Sequence, residues 1–269
     1  MAYTDIDKPS DYFEPVIYNG NGGTQSITSL DFQPDFVWLK SRSNGNIHNL
    51  NDSVRGVNKQ IHTDLTNAEA TLTTVLTAFN SNGFTLGSES DVNGSGRTFV
   101  SWNWLGANGT ASNSNGNITS TVSANTTAGF SIVSWTGNNS GSATVGHGLG
   151  AVPNVVIIKK RDGATNWGFK HSSFASGAMS SINTTDAPSN RNGSTAGGIG
   201  DLTSSTTFGF IGGGAGTPSE NNGSMIAYCF ADVKGYSKFG SYSGNGSTNG
   251  AFIYTGFKVA WLLIKRING

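Results

Sequence analysis

A single cysteine, few charges and no long apolar run define what this chain does without. The lone Cys229 excludes an intrachain disulfide framework and any multi-cysteine metal site. It lies in the apolar run Met225-Ile226-Ala227-Tyr228-Cys229-Phe230, which predicts a buried, unreactive thiol. Charged residues make up 12% of the sequence, and 16 basic residues balance 16 acidic ones. No basic stripe interleaves with aromatics, so nucleic acid is not an expected partner. Nowhere does the chain approach the roughly 18 consecutive apolar residues of a membrane-spanning helix. The opening Met1-Ala2-Tyr3-Thr4-Asp5 has neither a basic n-region nor an apolar h-region. The expectation is therefore a product without a secretory signal, made in a cytoplasm and delivered elsewhere only by assembly or lysis.

Apolar residues are also scarce, at 35% against a usual 45–50% or so. Gly, Ser, Thr and Asn fill the deficit, with 38 glycines. Low hydrophobicity without net charge is not the signature of disorder, and 10% aromatics argue for packed layers. Gly and Asn supply the positive-φ positions of tight turns, so the composition predicts short strands joined by many turns. The 269 residues allow two domains or one large β domain.

Internal repetition organises the chain. Tyr18-Asn19-Gly20-Asn21-Gly22 leads to Pro34-Asp35-Phe36-Val37-Trp38-Leu39-Lys40-Ser41-Arg42. Trp135-Thr136-Gly137-Asn138-Asn139 leads likewise to Pro153-Asn154-Val155-Val156-Ile157-Ile158-Lys159-Lys160-Arg161. A third copy opens at Tyr242-Ser243-Gly244-Asn245-Gly246 and reaches Trp261-Leu262-Leu263-Ile264-Lys265-Arg266. Rear landmarks match in the first two copies: the segment at Phe99-Val100-Ser101-Trp102-Asn103-Trp104 parallels 224–230, and Phe84-Thr85-Leu86 parallels 207–212. The expected organisation is an N-terminal arm (1–15), a first β-sandwich module (16–106), a linker (107–128), a second module (129–238) and a partial third repeat (239–269). The third copy's apolar strand needs cover, which an earlier module, a longer repeat array or another subunit could supply.

The runs beginning at Phe36, Val155 and Trp261 are continuously apolar and predict strands buried on both faces. The alternating runs at Phe99 and Phe130 predict half-buried strands. The fold class is all-β: tandem β-sandwich, jelly-roll-like modules with long Gly/Asn/Ser/Thr-rich loops. Residues 65–79 carry a loose 3.6-residue spacing and are the one helical candidate, weakened by their threonines. Residues 189–200 read as a long surface loop.

Positive signs of catalysis are missing. His48, His62, His147 and His171 are scattered. Gly146-His147-Gly148-Leu149-Gly150 precedes Pro153 and a strand, so it reads as a turn and not as a phosphate loop. Asp91-Val92-Asn93-Gly94-Ser95-Gly96 starts like a calcium loop but lacks the closing bidentate Glu. Asp52, Asp64, Glu69, Glu89 and Asp91 are the candidates for a glycosidase pair, with no pair repeated in the second copy. Trp102, Trp104, Trp135 and Trp167 are candidate sugar-stacking residues. Trp167, which follows a turn, is the best placed for glycan binding. Neither a cofactor nor a metal site is expected.

Gln33-Pro34-Asp35-Phe36-Val37-Trp38-Leu39-Lys40-Ser41-Arg42, Asp52-Ser53-Val54-Arg55-Gly56, Gly83-Phe84-Thr85-Leu86-Gly87 and Gly235-Tyr236-Ser237-Lys238-Phe239-Gly240-Ser241-Tyr242 resemble a module of marine phage and cyanophage structural proteins. The resemblance covers nearly the whole chain. It implies a virion protein, non-catalytic, in a tail fibre or other appendage that serves attachment or host recognition. Expected partners are other virion proteins and further copies of the chain, as a homotrimer, with host surface polysaccharide as the receptor class. The arm up to Pro15, with Tyr12 and Phe13, is a candidate docking segment. Alternatives are a capsid decoration or tail accessory protein, and a carbohydrate-binding or depolymerase-like module.

Overall fold

In the computed structural model, residues 4, 6–192, 197–213 and 217–268 are described. The first copy supplies β1 (Phe13–Asn19), β2 (Gln25–Ile27), β3 (Phe36–Ser41), β4 (Asn49–Asp52), β5 (Lys59–His62), β6 (Ala70–Thr71), β7 (Leu76–Asn80), β8 (Gly83–Leu86) and β9 (Thr98–Trp104). Two strands follow, β10 (Ala111–Asn113) and β11 (Ser120–Asn125). The second copy supplies β12 (Phe130–Thr136), β13 (Thr144–Gly146), β14 (Val155–Lys160), β15 (Gly168–His171), β16 (Ala178–Ser181), β17 (Ser189–Asn190), β18 (Gly198–Ile199), β19 (Thr207–Ile211) and β20 (Ser224–Phe230). The helical elements among the described residues are a 3-10 turn, Pro9–Asp11, and the four-residue α1, Ser90–Asn93. The protein is all-β.

Both copies fold into the same sandwich. A large antiparallel sheet, β1-β9-β3-β4-β5-β6, lies over a small one, β2-β8-β7. In the second copy the large sheet runs β12-β20-β14-β15-β16-β17 over β13-β19-β18, with β10 and β11 added beyond β12. In each module the last strand enters between the first and third, as β9 does between β1 and β3 and β20 between β12 and β14. The backbone bonds repeat too. Gly20 N–H donates to the Arg97 carbonyl and Gly137 N–H to that of Gly223, both at 2.9 Å; Asp35 and Asn154 donate to Trp104 and Phe230. The duplication read from the sequence is a duplication of structure.

The two large sheets pack against each other, giving four layers in the order small, large, large, small. Their shared core holds Phe36, Trp38, Leu50, Ile61 and Trp104 from the first module against Phe130, Ile132, Val155, Ile157, Trp167, Phe169, Ile226 and Tyr228 from the second. This explains the continuously apolar runs. On β3, Phe36 and Trp38 face the other module while Val37 and Leu39 face the module's own small sheet. On β14, Val155 and Ile157 face outward to the first module, and Val156 and Ile158 inward.

Several expectations change at this point. Residues 107–128 are not a free linker: β10 and β11 extend the large sheet, and Ile118 and Val122 are buried. The strands at Phe99 and Phe130 are covered on both faces, so their polar alternates Ser101, Asn103 and Ser131 are buried. Residues 65–79 form no helix; they contribute β6 and the start of β7, because Val75 and Leu76 side by side turn into the core of a hairpin. Residues 13–15 of the supposed arm belong to β1, where Phe13 packs on Trp104 at 4.4 Å and Tyr12 meets Tyr236 edge-on at 6.2 Å. Of the expected loop 189–200, the ends form β17 and β18, and 193–196 lie outside the described residues.

Candidate functional site: an unpaired half-module

Residues 239–268 repeat the front of a module but join no sheet. Phe239 anchors the segment on Phe230, with ring centroids 5.9 Å apart. Trp261 wedges against the rims of Trp104 and Trp38, at 5.3 and 6.1 Å. The Lys265 ammonium donates to the Thr184 carbonyl at 2.8 Å, and burial holds its pKa below the ordinary lysine value. Most of the remaining segment faces solvent. Phe252, Ile253, Tyr254, Leu262, Leu263 and Ile264 are all exposed, Phe252 at 87% and Leu262 at 68%. Lys258, Lys265 and Arg266 are its charges, and it contains no acid. Exposed apolar residues concentrated on one segment mark a surface built to be covered.

Trp167 does not lie on a surface. It is 1% exposed, stacks on Tyr228 and donates its indole N–H to the His62 carbonyl at 2.8 Å. It is a rivet between modules and cannot stack on a sugar; the glycan-binding assignment is corrected. Trp104 and Trp135 are buried as well, and Trp102 is half-buried against the shared core. A cleft of about 220 Å³ in the second module, bounded by Lys160, Asn166, Met179, Arg191 and Pro218 among others, has no aromatic among the described residues of its lining.

His147 and Asn93 hold turns. His147 sits in a buried turn between β13 and β14 and caps it, accepting the Leu149 N–H at its Nδ1. Asn93, the centre of the supposed calcium loop, is a buried clamp whose amide donates to Asn21, Gly23 and Gly87. No cluster of three or more His, Cys, Asp or Glu suited to a metal ion occurs among the described residues. The Cys229 thiol is buried, and burial pushes its pKa up to about 12.

Sequence reasoning missed an ion network between the modules. Asp52 and Arg55, both with fully buried side chains, pair at 2.5 Å, and the Tyr228 hydroxyl donates to the same Asp52 oxygen at 2.6 Å. Arg55 also reaches Glu69, which the second module's Arg161 grips with two bonds of 2.9 and 3.0 Å. Burial alone would raise the Glu69 pKa, but the bonds from Arg161 and the charges of Arg55 and Arg161 outweigh it and hold the carboxyl low. That is opposite to the raised pKa of a general acid, so Glu69 is not poised as the acid of a glycosidase pair. The one available signal was Asp52-Ser53-Val54-Arg55-Gly56, whose Asp-to-Arg spacing closes this bond within a tight turn.

A family model matches residues 8–269, across both modules and the half-copy. The chain belongs to the DUF7483 family. That family is described as a domain of unknown function. No curated protein and no solved structure matches the chain. Among the described residues of this DUF7483 chain, no helix is long and apolar enough to cross a membrane.

Proposed function

We propose that this chain is a non-catalytic structural subunit of a bacteriophage virion, in a tail fibre or appendage, that works by assembling with other virion proteins. The observation carrying this reading is the half-module of residues 239–268, which exposes at its surface the kinds of side chain that the two complete modules bury. The resemblance of the repeat motifs to phage structural proteins supplies the setting. The internal chemistry agrees with a scaffold. Asp52, Arg55, Glu69 and Arg161 neutralise one another inside the inter-module contact, and His147 and Asn93 cap turns.

The test is mass spectrometry and immunogold labelling of gradient-purified particles from lysates of cells encoding the chain. The expected result is co-fractionation with particles and gold confined to one appendage. A chain found only in the soluble fraction would overturn the proposal. Light scattering on the purified chain then separates its two forms. A stable trimer favours a fibre subunit, and a clean monomer favours a decoration or accessory protein covered only on the particle.

A further inference from the structure

We infer that residues 239–268 are the opening half of a third sandwich, and that their binding partner is an extended strand of the β9 and β20 type. The two complete modules define what is missing. In each, the opening strand and the third strand are not paired with each other; the last strand lies between them and pairs antiparallel with both. Tyr18 is opposite Phe99 and Trp135 is opposite Met225 on one side; Lys40 is opposite Val100 and Lys159 is opposite Ile226 on the other. The half-module holds the opening motif at Tyr242 and the third-strand run at 261–264, with no strand between them.

Burial at matching positions shows the consequence. Tyr18 and Trp135 are 8% and 4% exposed, whereas Tyr242 is 52% exposed. Val37 and Val156 are 0% exposed, whereas Leu262 in the same place of its run is 68% exposed. The half-module thus carries the core side chains of a sandwich without the strand that would bury them.

A glycine gives independent support. A Cβ at Gly20 would lie 2.3 Å from the Gly94 carbonyl oxygen, and one at Gly137 would lie 2.1 Å from that of Glu220. In both modules the missing Cβ admits the turn that feeds the last strand. Gly244 stands at the same place in the third copy, and a Cβ there would meet nothing within 4 Å. The sequence keeps the small residue where the crossing backbone is absent, which is what a site awaiting that backbone requires.

The partner is therefore defined chemically. It is an uncharged extended segment of about seven residues with apolar side chains on both faces, entering through a Gly-rich turn, and it binds by strand addition. Strands β9 and β20 meet this description: Val100, Trp102 and Trp104 alternate with Phe99 on β9, and Ile226 and Tyr228 alternate with Met225, Ala227 and Cys229 on β20. On binding, Trp261 leaves its wedge against Trp38 and Trp104. This inference rests on the repeat geometry and holds or fails whatever particle the chain belongs to.

The experiment is hydrogen exchange by mass spectrometry on the full chain, with a synthetic peptide matching residues 219–232 as the probe. Exchange in residues 242–246 and 260–266 should slow by roughly tenfold or more, saturably, as free amides enter a strand ladder. A peptide of the same composition in scrambled order should have no effect. In Gly244→Val the slowing should be lost while the thermal transition is unchanged, because that site touches neither module. No slowing with the matching peptide overturns the inference, as does equal slowing with the scrambled one. Slowing that needs only higher chain concentration and no peptide also overturns it, because a second copy is then the cover.

Discussion

Trp167→Ala removes the most deeply buried of the three tryptophans buried in the shared core, and the structure sets the size of the effect. Truncating a buried tryptophan costs about 3–5 kcal/mol through lost burial and the cavity left behind. Trp167 is 1% exposed and stacks on Tyr228, so little solvent can enter to relieve that cavity. The variant also strips the His62 carbonyl of its 2.8 Å indole donor, leaving it the 3.5 Å bond from the Leu65 amide, and the lost hydrogen bond adds about 1 kcal/mol. About 4 kcal/mol or more is expected in total, a large part of the 5–15 kcal/mol or so that holds a typical domain.

The loss should also spread. Trp167 belongs to the second module, but its bond partner His62 lies on β5 of the first, and the core around it is shared. A large apolar contact of this kind makes two modules one cooperative unit. In urea, the wild type should unfold in one transition by fluorescence and circular dichroism, with the midpoint moved down in the variant and the slope unchanged. Hydrogen exchange supplies the decisive readout: amides of β3 and β14 should lose the same protection free energy. A loss under about 1 kcal/mol, or a loss in β14 with β3 untouched, would refute the reasoning and return the modules to independent beads.

Glu69→Gln and Arg161→Met, measured singly and together by urea unfolding, should show a coupling of about 1.5–3 kcal/mol, as for a two-bond charge-assisted contact; additivity within about 0.5 kcal/mol would remove the ion network from the interface. Burial holds the pKa of His147 below the ordinary 6.5, so the folded state resists a proton that the unfolded chain accepts. Its contribution to stability is then whole above about pH 6.5 and is lost as pH falls below it, by up to about 1.4 kcal/mol per pH unit, and His147→Gln should make urea midpoints measured from pH 7.5 to 5 fall less steeply, with the remaining slope carried by His48 and His171, which burial also holds low. Cys229, fully buried with its pKa pushed up to about 12, should react with a thiol reagent orders of magnitude more slowly in the native protein than in guanidinium, and fast native labelling would contradict the burial.

What was legible in the sequence was what repeats or alternates locally. The runs at Phe36 and Val155 announced strands covered on both sides, since no half-solvated strand keeps four apolar residues in a row. The order of landmarks announced the duplication. Trp167 was misread because its neighbours Gly163 and Asn166 resemble any surface turn. What buries it is the opposing module, a contact written nowhere near residue 167. The linker was misread for a similar reason. Ser, Thr and Asn between 107 and 128 look solvated, yet β10 and β11 carry them into the sheet, Ser120 and Ser123 are buried, and Ile118, Val122 and Ala128 reach the core. The helical spacing of 65–79 came from counting Leu72, which is exposed, together with Val75 and Leu76, which are buried for a different reason.

Duplication by itself would give two identical apolar faces, and identical faces do not fix which module sits on which. The divergence between copies does. Asp52 closes β4, whereas His171 closes β15. Around β4 the first module presents an anion with its own Arg55, and the second answers with the Tyr228 hydroxyl and, at Glu69, with Arg161. Removing either side would leave buried charge without its partner, a cost of several kcal/mol, so the pairing is directional as well as apolar. The half-module at 239–268 shows the state before such a contact: core residues placed, central strand absent, charges all of one sign. In the complete modules the last strand must first close the large sheet, because the face that docks is made of β9 and β20 as much as of their neighbours. Strand addition therefore has to precede any face-to-face packing of a third module, and a partner that supplied only an apolar surface would leave the backbone between its first and third strands unpaired.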